Sequence, residues 1–571
     1  MKKSLCMLLF FAAALYLLPL IFRPLTGPEE FRTAELAREM LEQGNFLVPK
    51  LLGGRYFEAP PLATWLTAAS FRIFGLNTFG LRFVSLLAVL GSGALLFLWF
   101  RKRAFSFQSS LNTVFILLSG LLFIAAGTTA SADALWGFFM TAAMIFSGVA
   151  MEPRSRKEGV LALAGVGIAI GCGFLTKGFY ALLLPLPAAM LCLLWQKKFK
   201  EMLLFPWLPL LTAAAVVAPW GLAIHRAEPD FWHQFAVYGE FRRFLQISPV
   251  ACSLRLGLVA AGMLPWIFPV LTCMTQLRQG AWTELRQALQ MRLALSFMTV
   301  SLLFLLLPWG NPLSGLLPCF VSAAAAGALV LDKMDGEKAL VKLRKTTTIV
   351  SFLFILGGSA ALLTGIVYLL WGTGIISSLP LKLAVWAPFF TTAALGMVVA
   401  GTFLFIHRKS KLPEPESFFM LCPIAAAVCV WFFPGFTADS RMPEYEMLDI
   451  ASQLSAANIR HPRLLASPEA AYPAAWCFKD STVQLVNDPR ELEYAYRYAA
   501  ACGERPLMLT FEQITVLIKS PDRKEGVLLA MRKNDLAAVP AFLLAEGKLF
   551  TTAGELCALY YPGKEDKKTE K

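Results

Sequence analysis

Runs of roughly twenty apolar residues, separated by short polar connections, recur along most of this chain. Most are long enough to cross the hydrocarbon core of a bilayer as a helix, though several are short or contain Pro. In order they fall near residues 4–22, 79–100, 109–128, 134–151, 159–175, 179–195, 203–224, 254–274, 293–308, 315–331, 346–372, 383–406 and 417–435, about thirteen spans in all. Beyond 435 the pattern changes. Helical periodicity over Pro443–Ala456 and Pro489–Ala501 alternates with strand-like runs at Arg463–Ala466, Thr482–Val486 and Pro506–Thr510, which predicts a small α/β domain. The expected architecture is a polytopic α-helical membrane protein, with residues 1–435 in and around the membrane and 436–571 forming the α/β domain.

Charge orients this picture. Basic clusters at 101–103, 154–157, 197–200, 278–292, 333–345 and 407–411 fall in every second connection, and Lys2 and Lys3 precede the first span. The positive-inside rule places them on the cytoplasmic side. The first run resembles a signal peptide but has no small-x-small cleavage site, so it reads as an uncleaved anchor. With the N-terminus inside and an odd number of spans, the C-terminal domain lies outside. The composition, 57% hydrophobic and 16% charged over 571 residues, suits a membrane protein. The net charge of +14 then reflects topology and anionic lipid rather than nucleic-acid binding. Of eleven cysteines, Cys477, Cys502 and Cys557 lie in the outer domain, where two would pair in an oxidising environment or all would remain free buried thiols; the spacing gives no connectivity.

The first outer loop, residues 23–78, carries the densest charge. From Glu29 to Gln43 there is no Pro or Gly. Pro28 suits a helix start and Gly44 a stop, and Glu29 and Glu30 fall in the first turn, where the helix dipole favours anions. Such a helix would lie at the interface with Arg32, Glu35, Arg38, Glu39 and Glu42 mostly on its polar face, and a second could follow at Pro61–Phe74. Arg55, Tyr56 and Glu58 come between them. Later outer loops add Asp133, then Thr176 and Lys177, then the 225–244 segment with Arg242 and Arg243.

One face of the membrane thus collects both acids and bases, as transfer from a phosphate leaving group requires. Cations hold the phosphate, while a carboxylate takes a proton or balances charge on the sugar. Each residue also has a plainer reading. Asp133 can cap a span, Lys177 can snorkel, and Arg242 and Arg243 can anchor to head groups. His225 and His233 lack ligand spacing, and the sequence carries no Walker, Rossmann or Cys/His signature.

The segment PEEFRTAELAREMLEQGNFLVPKLLGGRYFEAPPLATW resembles the first periplasmic loop of bacterial ArnT-like glycosyltransferases, GT-C enzymes related to the protein O-mannosyltransferases. The likeness continues through LTKGFYALLLPLP, APWGLAIHRAEPDFWHQF, LPWIFP and LLPCF. It implies a GT-C fold in the bacterial inner membrane, with the active site facing the periplasm. It also implies transfer of a sugar, 4-amino-4-deoxy-L-arabinose in the closest family, from an undecaprenyl-phosphate carrier to lipid A or another cell-envelope acceptor. The family's catalytic Asp falls on Glu29, and its neighbouring Glu on Glu30. Its Arg falls on Arg32, the Glu of Tyr-Phe-Glu-Lys on Glu58 beside Tyr56, and the acid of its second periplasmic loop on Asp133. Its Leu-Thr-Lys-Gly lysine falls on Lys177, and Arg243 keeps a basic position. Departures include Ala59 for a Lys and Thr33 for a Tyr.

By that resemblance Glu29, Glu30 and Asp133 are the catalytic candidates. Arg32, Arg55, Tyr56, Glu58, Lys177 and Arg243 are the substrate-binding candidates, with Glu58 a ligand should a divalent ion bind. A polyprenyl-lipid flippase and an inactive GT-C scaffold are the competing functions. A flippase predicts charges lining a route through the spans, whereas most charges here lie in loops.

Overall fold

The computed structural model describes residues 16–25, 27–236, 287–306, 312–332 and 351–360, most of 443–563, and scattered residues between them. The chain forms two compact units. One comprises residues 1–22, 84–221 and 240–437; the other joins residues 23–83, 222–239 and 438–571.

The first unit is helical. Among the described residues four helices are long and apolar enough to cross a membrane: Thr78–Lys102, Ala132–Met151, Arg156–Lys177 and Phe199–Ala227. A helix pair bent by 67°, Phe107–Leu118 and Leu121–Thr128, is together also long and apolar enough, either as a broken span or as a re-entrant loop. Shorter apolar helices lie at Tyr180–Trp195, Leu289–Phe304, Leu317–Val330 and Ser351–Ala360. The spans expected at 254–274, 383–406 and 417–435 lie largely or wholly outside the described residues.

Ala132–Met151 and Arg156–Lys177 form a helical hairpin because only four residues separate them. Each starts on a serine cap: the Ser131 side chain accepts from the Asp133 N–H and the Ser155 side chain from the Glu158 N–H. Small residues let the helices close up. A Cβ at Gly165 would stand 3.0 Å from the Phe146 ring, and one at Gly137 would stand 3.2 Å from Leu317. The broken pair parts at Ser119–Gly120, and side chains take up what the break releases. Tyr16 Oη donates to the freed Leu118 carbonyl at 2.8 Å, and beside it Trp266 Nε1 donates to the Ser119 hydroxyl at 2.7 Å. Interrupted helices survive at membrane depth when the freed groups find such partners.

The second unit is α/β. A six-stranded sheet runs in the order β5-β4-β3-β6-β8-β7, with β3 at Arg463–Ala466, β4 at Gln484–Val486, β5 at Met508–Leu509, β6 at Val527–Arg532, β7 at Lys548–Thr551 and β8 at Leu556–Tyr561. Strands β3 to β6 pair in parallel, joined by the helices Pro468–Phe478, Glu493–Cys502 and Phe511–Lys519. Strands β6, β8 and β7 pair antiparallel. The inner strands β6 and β8 are apolar and buried along almost their whole length, as a strand covered on both faces must be. Leu465, Leu529, Ile514, Leu543 and Leu559 form the core. Cys477 and Cys557 are free thiols, so neither is bridged.

Loop one belongs to this second unit. Its helix runs Gly27–Gln43, followed by the hairpin β1 (Lys50–Leu51) and β2 (Gly54–Arg55) and by the helix Leu62–Phe74. The hairpin turns on Leu52 and Gly53, both at positive φ (52° and 77°), as a tight two-residue connection requires. Contacts with the C-terminal segment hold the loop. Glu444 accepts from the Leu25 N–H at 2.6 Å and from Trp476 Nε1 at 3.3 Å, and Trp476 stacks on Phe71.

Candidate active site

In the helical unit the folding of one hairpin brings Asp133 and Lys177 together. Asp133 sits in the first turn of Ala132–Met151, and Lys177 ends Arg156–Lys177. The dipole of each helix favours the charge it carries. Gly178 stops the second helix at φ 71°, with its N–H on the Phe174 carbonyl at 2.7 Å, a conformation that needs glycine. The Lys177 ammonium donates directly to Asp133 Oδ1. The aspartate side chain is 6% exposed and the lysine 16%. The pair is thus mostly dry, with the lysine side chain the more exposed of the two.

In the α/β unit the loop-one candidates divide into open and closed groups. Glu29 is 53% exposed and pairs with Arg32, one turn on along the helix. Glu30 is enclosed. Arg82 Nε and Nη2 hold its two oxygens at 2.8 and 2.9 Å, and Arg23 Nη2 donates to Oε1 at 2.9 Å. Arg82 also donates to the carbonyls of Arg23 and Pro24. Both Arg82 and Arg23 were missed in the sequence. The signal was there: Arg82 lies inside the apolar run 79–100, where a cation needs a partner.

Further along the helix, Glu35, Arg38 and Glu39 are buried, although the sequence suggested a polar face turned mostly to water. The cover is another part of the same unit: Arg38 donates to the Lys479 carbonyl at 3.3 Å as well as to Glu35 and to Glu42. Burial raises the Glu35 carboxyl, opposed by Arg38. Burial, and then the neighbouring Glu35, pushes Glu39 up to about 8. The Glu39 carboxyl accepts from the Gly53 N–H at 3.1 Å, anchoring the tip of the β1–β2 hairpin.

At the open end of that hairpin stands Arg55. Its Nε donates to Glu228 Oε1 at 2.7 Å, and its Cζ lies 4.0 Å from the centre of the Tyr498 ring. Tyr56 is buried, its N–H on the Pro49 carbonyl at 2.9 Å. Phe57 meets Phe231 edge to face at 5.2 Å. Glu58 is half-buried in the next turn of chain. Neither Glu228 nor Tyr498 was singled out in the sequence, because both reach Arg55 from distant segments. Arg243 lies outside the described residues. Among the described residues no group of three or more His, Cys, Asp or Glu side chains is arranged to hold a metal.

This geometry offers paired acids and cations of the kind that handles a phosphorylated substrate, and comparison with known proteins identifies which kind of chain carries it. Residues 3–235 match the family described as dolichyl-phosphate-mannose-protein mannosyltransferase. Across its length the chain is 32% identical over 554 residues to the undecaprenyl phosphate-alpha-4-amino-4-deoxy-L-arabinose arabinosyl transferase of Erwinia tasmaniensis, covering 94% of this chain and 95% of the relative. The chain belongs to that family of arabinosyl transferases. The same named enzyme of Aeromonas hydrophila is also 32% identical, over 91% of this chain and 92% of its own. The crystal structure of ArnT from Cupriavidus metallidurans bound to undecaprenyl phosphate superposes with a TM-score of 0.76 at 18% identity, covering 98% of each chain. Its apo form gives 0.74. The GT-C fold expected from the sequence is thus the fold of this arabinosyl transferase relative.

Proposed function

We infer that this chain transfers 4-amino-4-deoxy-L-arabinose from an undecaprenyl-phosphate carrier to a cell-envelope acceptor, lipid A above all, at the periplasmic face of the inner membrane. The near full-length identity to enzymes of that name carries the reading. In keeping with it, residues 1–435 would form the transmembrane catalytic domain and 436–571 the periplasmic α/β domain.

In the transfer the bond from the anomeric carbon to the phosphate oxygen breaks, and an acceptor oxygen bonds to that carbon. The carrier leaves as a phosphate monoester with one more negative charge than it brought. Cations must hold that charge as it develops. We assign this to Lys177, Arg55 and Arg243: Lys as a compact point charge, Arg through its fork of donors. Asp133 keeps the Lys177 ammonium oriented. An acceptor phosphate is ionised at neutral pH and needs no base, so Glu29 then orients it or balances positive charge on the sugar. For a hydroxyl acceptor Glu29 is the base. Arg32 holds Glu29, while Glu30, clasped by Arg82 and Arg23, fixes the start of the helix that carries it. Tyr56 and Glu58 line the same stretch as sugar-binding candidates.

The test is turnover by purified protein given undecaprenyl phosphate-α-4-amino-4-deoxy-L-arabinose and lipid A, read by mass spectrometry. Transfer by the wild type and its loss in Glu29→Gln support the reading. Equal transfer by both overturns the role of Glu29. No transfer across a panel of polyprenyl-phosphate sugars and acceptors leaves the flippase or inactive scaffold in its place.

A further inference from the structure

Three stretches of chain converge on one guanidinium. The hairpin β1–β2 presents Arg55 at its open end, residues 222–239 bring Glu228, and the helix Glu493–Cys502 brings Tyr498. Glu228 takes the Nε edge of Arg55 and the Tyr498 ring takes its face. One edge and one face fix the plane of a guanidinium, so the direction of its fork is set before any ligand arrives. The side chains are only partly exposed, 23% for Arg55 and 14% for Glu228, so water screens the arrangement weakly.

The hairpin and the helix approach too closely for this stacking to be a chance surface contact. A Cβ at Gly54 would lie 2.7 Å from Leu507 Cδ1 and 3.1 Å from Ala495 Cβ, so a larger residue before Arg55 would make both neighbours shift. Ala495 is on the same helix as Tyr498, one turn earlier. Glu39, accepting from Gly53, closes the other end of the hairpin. The backbone on either side of the stacked pair is thus held in place independently of the pair itself.

We propose that Tyr498 is a positioning residue of the transfer site, a platform from the C-terminal α/β region that, with Glu228, aims the Arg55 fork at the phosphate of the polyprenyl carrier. This rests on the function proposed above. What the carrier meets is Arg55; Tyr498 and Glu228 act through it. The chemistry asks for the ring face rather than the hydroxyl, because the attraction is between a cation and a π-system.

Purified full-length variants test this with two readouts: binding of undecaprenyl phosphate alone, and the donor KM and kcat for transfer. Tyr498→Ala is expected to weaken carrier binding and raise the donor KM about tenfold, with kcat within about twofold. Tyr498→Phe is expected to behave as wild type. In an Arg55→Ala background, adding Tyr498→Ala is expected to change neither readout further, since the platform then has nothing to aim. The proposal is overturned if Phe is as damaging as Ala, if the Tyr498→Ala effect persists in full without Arg55, or if Arg55→Ala itself leaves both readouts unchanged. Binding decides the matter whether or not transfer is seen. Absence of wild-type transfer beside an intact Tyr498 and Arg55 binding coupling counts against the proposed reaction alone. A Tyr498→Ala protein that fails to elute as a single species is replaced by Tyr498→Leu, which fills the space without a ring.

Discussion

Glu30 and Asp133 are both buried acids beside a membrane, yet their surroundings differ in kind. Glu30 has both oxygens engaged by two arginines, and Arg82 spends its remaining reach on backbone carbonyls. Asp133 faces one lysine, the less buried member of the pair. The network around Glu30 holds both carboxylate oxygens and breaks badly when one member is removed. An open pair can share its cation with an incoming anion at small structural cost. Proximity of charge to the membrane marked both acids equally; what separates architecture from chemistry is how far each network is saturated.

The largest effect that could break this contrast is on folding. Arg82→Leu should cost about 3–5 kcal/mol by stranding the Glu30 carboxylate, seen as a collapse of the thermal unfolding midpoint in detergent. Lys177→Ala, which leaves one half of a single, more exposed pair, should lower that midpoint by less than Arg82→Leu does, while transfer falls roughly 10²–10³-fold. A midpoint that drops as far for Lys177→Ala as for Arg82→Leu would dissolve the distinction. Next in size, Glu29→Gln should lower kcat roughly 10–100-fold with the fold intact, and Glu29→Asp should recover most of it.

The smallest effect is a pH slope. Glu39 is held well above its usual 4.5, near 8, by burial and by Glu35. The folded state therefore binds a proton that the unfolded chain releases at lower pH. The Glu39 contribution to stability is greatest below about 4.5, declines as pH rises from there to about 8, and is flat above. Thermal midpoints across that window should fall for the wild type and fall less for Glu39→Gln. A variant with an unchanged slope would show that Glu39 is not the group responsible.

The sequence showed some elements directly. The helix at Pro443–Ala456 lies where its periodicity put it, and β3, β4 and β5 lie within the strand-like runs. The strands β6 and β8 escaped notice because VLLAMR and LCALYY are unbroken apolar runs, buried on both faces, with no alternation to mark them. Asp133 and Lys177 were legible because each sits where an apolar run ends. Amphipathicity in Glu29–Gln43 could suggest a polar face but not what covers it, so the burial of Glu35, Arg38 and Glu39 was out of reach. The same holds for Tyr498, whose partner lies far away in the chain.

The hairpin that joins Asp133 to Lys177 bears on biosynthesis. The charge pattern puts both charged ends on the outer side, and on that expectation both cross the bilayer as the protein is made. Alone, either charge would face the cost of the hydrocarbon interior. Four residues link the two helices at the end away from the pair, short enough for the helices to close on each other and match the acid with the base. A pair proposed to give the finished enzyme a poised cation would then also give the nascent chain a neutral passport through the membrane.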